Sequence, residues 1–243
     1  MSIFEYDGLL FDLDGVLTST GELHEAAWKL MFDEFLTDRA EAGGMPLVSF
    51  ERDDYLEYVD GRPRFDGVSV FLDSRGIVLP RGEVEAEPSF ESIAGLGNRK
   101  NELFNELLGS RGADPLPGAV EVVRSARAHG VRIAVVSSSA NAEQVLVAAG
   151  LRGLFDVVVD GLVARKLQLA GKPQPDTFLE AARQVDVAPD RAVVFEDALA
   201  GVEAARAGGF GLVIGIGPPE NERSLLDHGA DQVFRSLAEV RSD

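Results

Sequence analysis

Apolar positions along this chain follow two different periods. From about Leu116 onward, short aliphatic runs alternate with segments of helical spacing. Val131 to Val136 is a buried-strand run, Ala142 to Ala149 has helical spacing, and Phe155 to Val159 is β-branched. Pro175 to Val185 reads as a helix whose entry is punctuated by Pro173 and Pro175. Ala192 to Phe195 is a strand, Leu199 to Ala207 a helix closed by Gly208-Gly209, and Gly211 to Ile216 a strand again. Near the start, Phe4 to Leu13 is strand-like and runs into Asp14-Gly15. Strand–helix alternation of this kind predicts a parallel sheet covered by helices on both faces.

Between these parts the pattern changes. Glu22 to Leu36 reads as a long amphipathic helix through Leu23, Ala27, Leu30, Met31 and Phe35. Ser89 to Leu108 holds a second strong helical segment, and Tyr55 to Val59 and Val68 to Ser74 suit shorter ones. Convincing strands are few here, and Pro115-Leu116-Pro117-Gly118 marks the return to the alternating pattern. The expectation is an α/β fold with a Rossmann-like parallel sheet core, residues 1–18 and 115–243, and an inserted α-helical cap domain, residues 19–114.

Composition narrows the chemistry. The 243 residues are 45% hydrophobic and 26% charged, enough apolar mass for a packed core. The formal net charge of −18 argues against nucleic acid and anionic membranes as partners. It also requires any phosphate site to be a local concentration of cations and N–H groups. No run of apolar residues is long enough for a membrane span, and the acidic Met1–Asp7 stretch does not read as a signal peptide. A cytoplasmic location and a monomer are the expectations. The absence of cysteine excludes disulfides and thiolate chemistry, and His24, His129 and His228 have no metal-ligand spacing. Gly209-Phe210-Gly211 and Gly215-Ile216-Gly217 do not complete a dinucleotide fingerprint.

The strongest chemical signal is Asp12-Leu13-Asp14-Gly15 at the end of the first strand run. Ligands of open parallel sheets bind at strand carboxyl ends. Carboxylates two residues apart on an extended step point the same way and favour a hard cation. They can also divide labour, one attacking and one moving a proton. Ser137 follows a strand run and can offer a hydroxyl to phosphate or cap the next helix. Lys172, in Gly171-Lys172-Pro173-Gln174-Pro175, supplies a compact positive charge of the kind phosphoryl transfer needs. Glu196-Asp197 ends another strand run, where an acidic pair can bind metal or cap a helix.

Asp12-Leu13-Asp14-Gly15-Val16-Leu17-Thr18 resembles the first motif of the haloacid dehalogenase-like phosphohydrolase superfamily. Val135-Val136-Ser137-Ser138-Ser139, Gly171-Lys172-Pro173-Gln174-Pro175-Asp176 and Val194-Phe195-Glu196-Asp197 resemble the second, third and fourth, in the right order. The resemblance implies Asp12 as nucleophile and Asp14 as acid/base. It implies Ser137, Ser138 and Lys172 on the transferring phosphoryl group. Magnesium would be held by Asp12, the carbonyl of Asp14 and Asp197, with Glu196 assisting. Thr20-Gly21-Glu22-Leu23-His24-Glu25-Ala26-Ala27-Trp28-Lys29 resembles the hinge and first cap helix of the β-phosphoglucomutase group. That likeness adds Thr20, His24 beside the acid/base aspartate, and Arg64 and Lys100 as cap cations for a distal phosphate. Arg62 and Arg99 are their rivals, and Trp28 reads as core packing. Two departures stand out: Ser19 occupies a position that often carries aspartate, and the cap is longer than the compact form. The implied substrate is a phosphorylated sugar. The acceptor decides the activity. A sugar hydroxyl makes a mutase interconverting β-glucose 1-phosphate and glucose 6-phosphate, and water makes a sugar-phosphate phosphatase. A non-catalytic phosphosugar-binding regulator is the third reading.

Overall fold

A computed structural model describes residues 2–43 and 48–240. In chain order the elements are β1 (Gly8–Phe11), α1 (Gly21–Gly43), α2 (Arg52–Asp54), α3 (Arg64–Ser74), α4 (Ile93–Arg111), α5 (Ala119–Ala128), β2 (Arg132–Val136), α6 (Ala142–Ala148), β3 (Val157–Val159), α7 (Gly161–Leu167), α8 (Asp176–Gln184), β4 (Ala192–Glu196), α9 (Leu199–Ala207), β5 (Leu212–Ile216), α10 (Pro219–Asp227) and β6 (Gln232–Phe234). They fall into two compact units, Met1–Thr20 with Ala113–Asp243 and, separately, Gly21–Gly112.

The first unit is a six-stranded sheet in the order β3-β2-β1-β4-β5-β6, parallel throughout. This is the α/β architecture that the alternating pattern predicts. β1 lies at its centre, with Leu10 opposite Ala134 on one side and Val194 on the other. All four of its residues are buried, as an interior parallel strand requires. The strand is shorter than the Phe4 to Leu13 run suggests. Ile3–Glu5 is instead a 3-10 turn, started by the Ser2 hydroxyl accepting from the Phe4 N–H. One sheet face carries Leu10, Ala134, Val136, Val194 and Val213 and packs with Phe178 and Ala181 of α8 and Val202 and Ala205 of α9. On β1 and β4 the alternate positions include Phe11 and Phe195, whose rings stack at 4.7 Å. Helix α9 has the bounds that the spacing predicts. β6 has no sequence counterpart, because three half-exposed residues are too few to show a period.

The second unit is helical, with no strand among its described residues. Helices α1 and α4 pack on each other. Buried on α1 are Leu23, Ala27, Trp28, Met31, Phe32, Phe35 and Leu36, while Leu30 is 45% exposed. The expected stripe through Leu30 is therefore corrected. The buried face follows two adjacent i, i+4 rows, and Leu30, three residues after Ala27, falls on the outer edge of the first row, away from the second. Phe32 stacks on Phe50 at 4.9 Å, and both meet Phe71 of α3. Helix α4 starts at Ile93, inside the Ser89 to Leu108 stretch, because Ser92 is its cap: the Ser92 hydroxyl accepts from the Gly95 N–H at 3.0 Å. Tyr55–Val59 forms a π-helical turn just ahead of α3.

Candidate active site

The loop after β1 is shaped by its own backbone. The Asp12 N–H donates to the Phe195 carbonyl at 2.9 Å, which extends the strand by one residue. The Leu17 and Thr18 N–H groups both donate to the Leu13 carbonyl, and the Gly15 N–H to the Thr18 carbonyl. Gly15 has φ +95°, and a Cβ there would collide with the Asp197 carboxylate. Glycine therefore serves both the turn and the close approach of Asp197.

Asp12 and Asp14 have different partners. Asp12 Oδ1 accepts from Lys172 Nζ at 2.5 Å, and its Oδ2 accepts from the Asp14 N–H at 2.9 Å. Asp14 Oδ1 accepts from the Thr20 hydroxyl at 2.5 Å, and its Oδ2 from the Ser137 hydroxyl at 3.1 Å. Thr18 Oγ1 lies 2.7 Å from Thr20 Oγ1, so both threonine hydroxyls belong to this network. Ser137 follows β2, and its hydroxyl also accepts from the Ser139 N–H. Ser138 comes next in the chain and is half-buried.

Lys172 is 2% exposed. Its ammonium also donates to Glu196 Oε1 at 2.5 Å and lies over the Phe178 ring. Glu196 is fully buried at the end of β4, and its second oxygen accepts from the Ala198 N–H at 2.9 Å. Gly201 makes room for it, since a Cβ there would strike the carboxylate. Burial opposes the charge on Lys172, but Asp12 and Glu196 outweigh it and hold its pKa above the ordinary value. Burial pushes the Asp12 carboxyl well up; Lys172 opposes this, while the charges of Glu196 and Asp14 add to it. Acidic groups thus crowd around one buried ammonium, an arrangement that favours a further cation.

Asp12 and Asp197 are the carboxylates such a cation could join, and the bare backbone of Gly15 is what lets the Asp197 carboxylate approach the loop after β1. Both oxygens of Glu196 are already engaged. Among the described residues no three histidine or acidic side chains close a metal cage. The two carboxylates fit a hard divalent cation that takes its remaining ligands from other oxygens.

The second unit brings together two of its predicted residues. Lys100 Nζ lies 2.6 Å from His24 Nδ1, with the His24 ring stacked on Phe104 at 4.0 Å. The ammonium sits over the rings of Trp28 and Phe104, and Lys100 is 4% exposed. Aromatic faces offset part of the hydration that so deeply placed a lysine loses. Arg64, at the start of α3, donates through Nη2 to Asn98 Oδ1 at 3.1 Å. Its rival Arg99 is paired with Glu34 and Glu102, and Arg62 is half-buried in the turn before α3. Sequence reasoning did not single out Asn98. It also left the Thr18 hydroxyl and the Ser137–Asp14 bond unassigned, since Ser19 and Thr20 lie in a turn that leaves no periodic sign in the sequence.

A family model described as haloacid dehalogenase-like hydrolase matches residues 6–209. The chain is 48% identical over 235 residues to β-phosphoglucomutase of Mycobacterium bovis, covering 95% of this chain and 90% of that one. It is 27% identical over 244 residues to a phosphorylated carbohydrates phosphatase of Thermotoga maritima, covering 96% and 99%. Among solved structures, a variant of CbbY from Rhodobacter sphaeroides in complex with xylulose-(1,5)bisphosphate aligns with a TM-score of 0.70 at 28% identity, covering 96% of each chain. A carboxylate pair just past the central strand, a buried lysine and a strand-end acidic pair thus coincide with a match to most of the chain, and the protein is an enzyme belonging to the haloacid dehalogenase-like hydrolase family.

Proposed function

We propose that the protein is a β-phosphoglucomutase, interconverting β-glucose 1-phosphate and glucose 6-phosphate through a phosphorylated Asp12. The observation that carries the chemistry is the division between the two carboxylates. Asp12 is held by Lys172 and by the Asp14 N–H, which leaves it aimed as a nucleophile. Asp14 is held by two hydroxyls, Thr20 and Ser137, which suits a group that gives and takes a proton. In this reading Asp12 attacks phosphorus, and Asp14 protonates the leaving oxygen. Asp14 then takes the proton from the hydroxyl that accepts the phosphoryl group. Lys172, Ser137 and Ser138 bind the phosphoryl oxygens, and Glu196 holds the lysine in place. Magnesium, joined to Asp12, Asp197 and the Asp14 carbonyl, would offset phosphate charge and supply Lewis acidity. Lys100, beside His24, and Arg64 take the second phosphate of the bisphosphorylated intermediate.

A sugar hydroxyl rather than water as acceptor is supported by the near-full-length kinship to the mycobacterial mutase. The Thermotoga maritima relative, a phosphatase of phosphorylated carbohydrates, supports water as the second reading. The protein is to be incubated with β-glucose 1-phosphate, magnesium and a trace of glucose 1,6-bisphosphate. Glucose 6-phosphate is the expected product. Release of inorganic phosphate alone would replace the mutase with the phosphatase.

A further inference from the structure

Residues 75–92, between α3 and α4, have no regular secondary structure but are tied to the start of α4. The Ile93 and Ala94 N–H groups donate to the carbonyls of Pro80 and Arg81, and the Ser89 N–H donates to the Gly95 carbonyl. One tie reaches further along the helix. Asn98 Nδ2 donates to the Val84 carbonyl at 2.9 Å and to the Ala86 carbonyl at 2.8 Å. A carboxamide carries two donor hydrogens on nitrogen and its acceptor on the other atom. With both hydrogens taken, Oδ1 faces Arg64 and accepts from Nη2. Flipping the amide would set its oxygen against two carbonyl oxygens and its nitrogen against a guanidinium. The backbone of the segment therefore fixes Asn98, and Asn98 fixes Arg64.

The neighbouring residue makes this contact possible. A Cβ on Gly97 would lie 2.7 Å from the Phe65 ring and 3.4 Å from Arg64 Cγ, so only glycine lets the start of α3 lie this close to α4. The chemistry of the tie matters as well. Asn98 offers a neutral oxygen, which orients a guanidinium without cancelling its charge.

We infer that Asn98 is a positioning residue that holds Arg64 ready for an anion, and that the 75–92 segment tunes selectivity for sugars carrying a phosphate remote from the reacting one. This rests on the role given to Arg64 in the proposed function. The test is calorimetric binding of glucose 1,6-bisphosphate and of inorganic phosphate, with magnesium, in an Asp12→Asn background that prevents turnover. Adding Asn98→Ala is expected to weaken bisphosphate binding about tenfold, the loss of one charge-assisted contact, with inorganic phosphate changed less than about twofold. Asn98→Asp is expected to weaken bisphosphate binding further, because it adds a negative charge beside Arg64 and sets an oxygen against Val84 and Ala86. Arg64→Ala is the reference. If it weakens bisphosphate binding while both Asn98 variants match the parent, the positioning role is overturned and the role of Arg64 stands. If Arg64→Ala has no effect, the role of Arg64 falls and this inference falls with it. Equal weakening of both ligands in the Asn98 variants would mark Asn98 as a structural residue and overturn the inference. Asn98→Ser replaces Asn98→Ala if the thermal midpoint of the latter shows it unfolded.

Discussion

Lys172 illustrates how much one side chain holds together. It bridges Asp12 and Glu196 at near-complete burial, so removing it strands two carboxylates away from water. Lys172→Met is expected to cost about 3–5 kcal/mol of stability, read by denaturant unfolding, because a broken buried pair leaves uncompensated charge. Asp12→Asn tests the nucleophile: a labelled phosphoenzyme in that variant would refute the assignment. A milder electrostatic effect operates at the surface of α8. Glu180 is held to about 2, below its ordinary 4.5, by hydrogen bonds from Arg183 and Gln184. A lowered carboxyl pKa stabilises the fold above 4.5, and that contribution is lost as pH falls toward 2. Glu180→Gln should therefore lower stability at pH 7 by about 0.5 kcal/mol, with the gap to wild type closing on acidification. At this scale the sequence was most informative where a residue's neighbours are its own chain neighbours, as at Asp12, Asp14 and Gly15. It was least informative where a partner is remote. Nothing near Asn98 in the sequence says that it meets Arg64, and nothing near Ser137 says that it meets Asp14.

The elements show the same dependence on range. The strand–helix alternation of the sheet was readable because β-branched runs and i, i+4 spacing are local records of burial. Boundaries shifted where a side chain spoke to the backbone, as Ser2 does before β1 and Ser92 does before α4. Helix α1 gives a direct comparison. Phe32 is fully buried among Phe50, Phe71 and Trp28, and Phe32→Ala is expected to cost about 3–5 kcal/mol. Leu30→Ala, two residues earlier, should stay within about 0.5 kcal/mol of wild type. Urea titration of both variants checks the face assignment, and equal losses would contradict it.

On the scale of the whole molecule, the site residues expected from the sequence fall in both units. The sheet unit gathers Asp12, Asp14, Ser137, Lys172, Glu196 and Asp197, while the helical unit holds His24, Arg64 and Lys100. No helix among the described residues is long and apolar enough to cross a membrane. Strand β1 comes first among the six in sequence yet lies in the middle of the sheet, and its two partners are more than a hundred residues downstream, at Arg132–Val136 and Ala192–Glu196. Until those arrive, β1 has nothing to pair with, and Asp12 has neither the Phe195 carbonyl nor Lys172. A chain that stops before Lys172 therefore lacks both of these partners for Asp12. Long-range pairing of this kind slows folding, and in this enzyme it also ties closing of the sheet to assembly of the contacts around Asp12.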